Sequence, residues 1–148
     1  MGLTTDQKAA LLAEYRDLPA FDDVKESLIE LRAAGHTLYA FSNGTADALE
    51  TLLSAADIRN LFVGVVSLEN RQTFKPNPDA YQYLLKMTAA SASDTWLISS
   101  NPFDVIGAVS YGLCSAWVSN KSIFDPWGID PTLTVTTLHG LAGGIANL

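Results

Sequence analysis

The chain alternates stretches of helical period with short, almost continuous apolar runs. Residues 5–17 place Leu11, Leu12, Tyr15 and Leu18 at helical spacing, and Thr4 with Gln7 forms a capping box. Pro19-Ala20-Phe21 ends that helix. A second begins at Asp22 or Asp23, carries Val24, Leu28 and Leu31 on one face, and stops at Gly35. Thr37 to Phe41 then reads as a buried strand, with Ser42-Asn43-Gly44 at its end and a helix after it whose inward face is Leu49, Leu52 and Leu53. Phe62 to Val66 is the next strand, followed by a polar loop from Glu69 to Pro76. Asn77-Pro78-Asp79 opens a helix that faces inward through Tyr81, Leu84 and Leu85. Thr95–Ile98 is a strand, a helix follows Pro102, Ser115–Val118 is a strand, and Leu133–Val135 is a further short one.

Apolar strands alternating with amphipathic helices imply a parallel sheet covered on both faces, that is, one α/β domain. The length of 148 residues is about one domain's worth, and 48% hydrophobic against 17% charged residues excludes a disordered chain. The net charge of −7 argues against nucleic acid or an anionic membrane as partner but leaves room for a local cationic pocket. Cys114 is the single cysteine, so neither an internal disulfide nor a cysteine metal cluster is expected, and a cytoplasmic location is. No run approaches a membrane span.

In a parallel sheet with right-handed crossovers, all strand carboxyl ends share one edge. Ser42 and Asn43 end one strand, Ser99, Ser100 and Asn101 end another, and Lys75 lies in the loop after the Phe62–Val66 strand. Hydroxyls, amides, an ammonium and the Asp104 carboxylate therefore gather on one rim, where α/β proteins bind small ligands. The same residues have a structural reading. Asn101 is a good N-cap, Pro102 suits the first helical position and Asp104 complements the helix dipole. His36, before the first strand, His139, placed in the C-terminal helix, and Cys114, at the far end of its strand, are off this rim. That argues against a nucleophile–histidine arrangement. Trp96, Trp117 and Trp127 read as packing residues.

Phe41-Ser42-Asn43-Gly44, Phe74-Lys75-Pro76 and Ser99-Ser100-Asn101-x-x-Asp104 resemble, in order, the second, third and fourth motifs of the haloacid dehalogenase superfamily. The likeness is closest to the L-2-haloacid dehalogenases. Tyr81, and the run Tyr111-Gly112-Leu113 leading to Trp117, also fit that subgroup. The resemblance implies a Rossmann-like, three-layer α/β core. It also implies a reaction in which an aspartate displaces halide from a 2-haloacid and the resulting ester is hydrolysed. Carried onto this sequence, it makes Ser42, Asn43 and Tyr81 substrate-binding residues. Lys75 becomes the cation that keeps the aspartate ionised, and Ser99, Asn101 and Asp104 the groups that orient Lys75 and the water.

The family's first motif, Asp-x-x-x-Thr on an N-terminal strand, has no counterpart in this sequence. The expected fold is thus a parallel sheet lacking its usual first, central strand, with residues 1–18 resembling the end of a cap domain and 19–148 forming the core. No cofactor is implied. Phosphatase relatives would hold magnesium through first-motif carboxylates and the Asp104 counterpart, so with one acid of that set left no metal site is expected. The gap calls for sheet closure, a strand from a second copy, or a complementing chain, and the last two imply an oligomer. The functional expectation is a haloacid dehalogenase-like hydrolase, inactive or weakly active as an isolated chain. The alternative is a non-catalytic module that binds a small carboxylate or phosphate, or an oligomerising pseudoenzyme.

Overall fold

The structure, a computed structural model, describes residues 2–16, 18–119 and 127–148. Helix α1 (Thr5–Arg16) starts with the capping box, Gln7 N donating to Thr4 Oγ1 at 3.2 Å and Thr4 N to Gln7 Oε1 at 2.9 Å. Of the apolar positions whose spacing predicts a buried stripe, Leu18 is 49% exposed. Leu11 is 60% exposed, and the Leu12 and Tyr15 side chains and residue 17 lie outside the described residues. Helix α2 (Val24–Ala33) buries Leu31 and ends before Gly35, whose φ of 92° is the left-handed conformation that glycine adopts without strain. Asp23 stands at its N-cap but makes no capping bond; its Oδ2 accepts instead from Leu138 N at 2.7 Å, tying the start of α2 to the C-terminal segment.

Strand β1 (Tyr39–Ser42) pairs in parallel with β2 (Gly64–Ser67) across α3 (Ala46–Ala55) and a short 3-10 turn (Arg59–Leu61). Helix α4 (Pro78–Thr88) leads to β3 (Trp96–Ser99), and α5 (Pro102–Tyr111) to β4 (Cys114–Val118). Strand β5 (Leu133–Val135) and helix α6 (Leu141–Ala146) complete the chain. Strands β3, β4 and β5 are mutually parallel, in that order. Both β1 and β2 begin two residues later than their apolar runs, because Leu38 and Val63 meet only at the end of the ladder, through a single 2.9 Å bond. His139 precedes α6 rather than lying in it.

The α/β architecture is as expected, but the described strands form two sheets rather than one. Pairing stops between β1 and β3. Leu38 O accepts from Val63 N and Ser42 O from Leu68 N, so residues 38, 40 and 42 direct their backbone groups to β2. By two-residue alternation, Tyr39 and Phe41 direct theirs to the other edge. Thr95 O accepts from Cys114 N and Leu97 O from Ser115 Oγ, so 95 and 97 face β4 while Trp96 and Ile98 face the open side.

Two apolar clusters cover the strands and straddle this break. One joins Tyr39, Phe41 and Val66 to Leu97 through Tyr81, Leu84 and Ala108 of α4 and α5. The other joins Leu38 to Trp96, Ile98 and Ala116 through Leu31 of α2 and Leu141 of α6. The two sheets are therefore one packed body with an interruption in its hydrogen-bond ladder. Among the described residues the sheet does not close around the gap.

The Asp23 carboxylate is the acceptor that anchors the segment before α6 to α2. Asp23→Ala is expected to lower the unfolding free energy by about 1–2 kcal/mol, since it leaves the partly buried Leu138 N–H without its acceptor. Urea denaturation followed by circular dichroism measures it.

Candidate active site

The site is built at the carboxyl ends of β1 and β3. Lys75, in the loop after β2, sends its ammonium between them. Nζ donates to Phe41 O at 3.3 Å and to Asp104 Oδ2 at 2.9 Å, and it lies 4.8 Å from the centroid of the Phe41 ring. The pair is largely withdrawn from water, with side-chain exposures of 8% for Lys75 and 13% for Asp104. Removing two charges from water costs several kcal/mol each, so close pairing and further hydrogen bonds are needed to hold them there. Ser99 Oγ supplies one such bond, donating to the same Asp104 oxygen at 3.1 Å.

Backbone placement of these groups follows from local sequence. Asn43 Oδ1 accepts from Lys75 N at 2.8 Å, fixing the loop against the turn after β1. Asn101 Oδ1 accepts from Phe103 N and caps α5, whose first turn carries Asp104. Ser99 Oγ also accepts from Asn101 N at 3.0 Å. Tyr81 is fully buried, packs against Phe41 and Tyr111, and donates its hydroxyl proton to Asp104 O at 3.2 Å. Burial, followed by the nearby Asp104 charge, pushes the Tyr81 phenol far above its ordinary range, so it remains a donor.

Of the seven residues singled out, Lys75, Ser99 and Asp104 form one hydrogen-bonded chain. Asn43 and Tyr81 attach to that chain through the backbones of Lys75 and Asp104. Ser42 Oγ accepts from Gly44 N in the turn, and the Asn101 side chain caps α5. For Asn101 this is the structural role that its position also suggested; for Ser42 it is a local turn contact that the sequence reading did not anticipate. Among the described residues no group of three or more His, Cys, Asp or Glu side chains could hold a metal.

Three contributors escaped the sequence reading. The Phe41 carbonyl is a backbone acceptor and leaves no side-chain signature. Gly107, inside α5, lies so close to the site that a Cβ there would come 2.2 Å from the Tyr81 hydroxyl and 2.5 Å from Pro76 Cβ. A glycine in mid-helix costs about 1 kcal/mol against alanine and was the available signal for this close approach. The third is the edge-on pairing of Phe103 with Trp127, centroids 5.4 Å apart, both half or more exposed beside the α5 N-terminus.

A family model described as haloacid dehalogenase-like hydrolase matches residues 5–118. The chain belongs to that family. Haloacetate dehalogenase H-2 of Moraxella sp. (strain B) is 30% identical over 149 aligned positions, which take in 99% of this chain and 66% of that protein. An (S)-2-haloacid dehalogenase, H-109 of Pseudomonas putida, is 32% identical, the match taking in 93% of this chain and 63% of the relative. The solved L-2-haloacid dehalogenase of Xanthobacter autotrophicus with chloropropionic acid covalently bound superposes with a TM-score of 0.90. It is 23% identical, and the match covers 100% of this chain and 69% of that one, a likeness of fold. A haloacid dehalogenase-type phosphatase from Thermococcus onnurineus shares the fold less closely, with a TM-score of 0.78 at 20% identity. The chain spans between 48% and 66% of the length of the curated relatives it matches.

Two expectations follow for this haloacid dehalogenase-like chain. Gly107→Ala drives a methyl group into Tyr81 and Pro76 and is expected to destabilise the fold by about 1–3 kcal/mol. Gly143→Ala, in α6 with nothing within 4 Å, is expected to be neutral or to stabilise by about 0.5–1 kcal/mol. Thermal denaturation of the two variants side by side checks the contrast. The raised Tyr81 pKa also has a sign: the native chain keeps a proton that the unfolded chain loses, so stability is complete below about pH 10 and falls above it. Urea midpoints at pH 9 and 11 should differ more for the parent than for Tyr81→Phe.

Proposed function

We propose that this chain provides the supporting part of a hydrolase site for small 2-haloacids. The carrying observation is the buried Lys75 ammonium. Three protons are available to it, two go to Phe41 O and Asp104 Oδ2, and the third has no partner among the described residues. A cation with one free donor at the shared rim suits a carboxylate. The names of the haloacetate and (S)-2-haloacid dehalogenases that this chain resembles suggest which one.

In this reading a carboxylate oxygen attacks the halogen-bearing carbon from the side opposite the halogen. A carbon–oxygen bond forms while the carbon–halogen bond breaks, and halide leaves with the electron pair. Water then adds to the ester carbonyl, and the ester bond cleaves to release the 2-hydroxyacid and restore the carboxylate. Lys75 lowers the cost of bringing substrate and nucleophile carboxylates together. Asp104 and Ser99 hold Lys75 in place, Asn43 fixes its backbone, and Tyr81 fixes that of Asp104. Ser42 and Asn43 line the side where a substrate carboxylate would lie, and Asn101 lines the side of the water. Residues 1–18 would be the edge of a cap over the site, and a cytoplasmic setting suits the single cysteine.

Asp104 cannot serve as the attacking group while it neutralises Lys75, so in this reading the attacking carboxylate is a different one. The second reading, a small-anion binding module or an oligomerising pseudoenzyme, draws on the same free ammonium proton and needs no nucleophile.

Halide release from 2-chloropropionate or 2-bromopropionate tests the pair. The 148-residue chain alone is expected to turn over slower than an aspartate-complemented chain by a factor on the order of 10⁴ or more, the scale of losing a nucleophile. Lys75→Ala should abolish the complemented activity. Retained binding of propionate, with no turnover even when complemented, would favour the binding module.

A further inference from the structure

Helix α4 has an outer face that the Lys75 site does not use. Ala80, Tyr81 and Leu84 are buried, whereas Asp79, Gln82, Tyr83 and Lys86 recur at the spacing of one helical stripe. Opposite this stripe, the loop that leads to Lys75 brings up Arg71 and Thr73, and the six residues line an open cleft of about 560 Å³. That is the size of a small-ligand site. Lys75 is not on its wall, because its ammonium is directed to Phe41 O and Asp104 Oδ2. The cleft is thus separate from the rim.

Its polar groups are uncommitted. Among the described residues, none of the six side chains hydrogen-bonds to another group or pairs its charge. Arg71 is nonetheless positioned, with its guanidinium carbon 4.6 Å from the centroid of the Tyr83 ring and its N–H donors without an acceptor. Thr73 Oγ1 is shielded from water and has no partner, a state that folded proteins rarely leave unanswered. The helix dipole accounts for an acid at Asp79 and a cation at Lys86, in the first and last turns of α4. It does not account for Arg71, which comes from the loop.

We propose that this cleft binds a small hydroxylated phosphate monoester. Arg71 lies over Tyr83 and Lys86 follows one turn along α4, so two cations meet toward one end of the cleft. A phosphate monoester carries roughly two negative charges at neutral pH and matches them, where a carboxylate brings one. Asp79 stands seven residues before Lys86, roughly 10 Å back along the helix. There it repels a second anion, which excludes an extended polyanion, and it can accept from the hydroxyls of the ligand body. Gln82 offers both a donor and an acceptor beside it. Arg71 covers Tyr83 from the loop side and Tyr83 packs against the core, so the wall has no bare aromatic shelf for an apolar ligand. The site stands whether or not the Lys75 rim belongs to a hydrolase.

Titration of the 148-residue chain with glucose 6-phosphate at constant ionic strength, followed by amide chemical shifts, tests the site. Saturable shifts are expected at Arg71, Thr73, Gln82, Tyr83 and Lys86. Arg71→Ala and Lys86→Ala should each raise Kd by at least about tenfold, and both should melt like the parent, since neither side chain is hydrogen-bonded. Asp79→Asn should weaken glucose 6-phosphate by about threefold or more while leaving inorganic phosphate bound as tightly or more so. Absence of saturable shifts, or a Kd unchanged in both cation variants, overturns the proposal. So do shifts confined to Ser42, Asn43, Ser99 and Asn101, which would put the phosphate on the rim. Glucose binding as tightly as its phosphate, or inorganic phosphate binding as tightly as the monoester, would likewise overturn it.

Discussion

The Lys75 ammonium is the interaction on which the rest of the structure depends. It is the polar link across the break in the sheet, bonded to a β1 carbonyl on one side and to the carboxylate after β3 on the other. An ion pair so shielded from water is a liability if either member is lost, because the survivor keeps its desolvation penalty without its partner. Surrounding residues supply what the pair requires. Ser99 Oγ donates to the carboxylate, Asn43 holds the lysine backbone, and Tyr81 holds the backbone carbonyl of Asp104. Gly107 leaves the space in which Tyr81 and Pro76 can sit.

The same arrangement divides stability from chemistry. The two sheets are held together by apolar clusters that span the break, so packing does not require the ladder to be continuous. The charge pair can then lie at the rim with one ammonium proton uncommitted, a cation ready for an anion yet nearly neutral as a pair. That balance suits a group that assists a nucleophile, and it makes Asp104 unsuitable as the nucleophile itself.

Much of this was open to sequence reasoning where the cause is local. The caps at Asn77, Asn101 and Thr4, the proline starts of α4 and α5 and the glycine after α2 depend on neighbours only a few residues away. Convergence of Lys75 with Ser99 and Asp104 was accessible because parallel topology sends strand ends to one edge. What escaped depends on distant partners. The starts of β1 and β2 are decided by where Leu38 meets Val63, and Asp23 left its expected cap for Leu138 N, 115 residues away in sequence. Leu11 has helical spacing yet stays mostly exposed. That the sheet would remain split rather than close also lay beyond the pattern, since closure competes with helix packing on both faces.

A double-mutant cycle across the ion pair tests the central claim most directly, using Lys75→Met, Asp104→Asn and the double variant in urea denaturation. The account predicts single-variant losses of about 3 kcal/mol each and a double variant little worse than either, a coupling of about 2 kcal/mol or more. Additive losses, with coupling near zero, would contradict it.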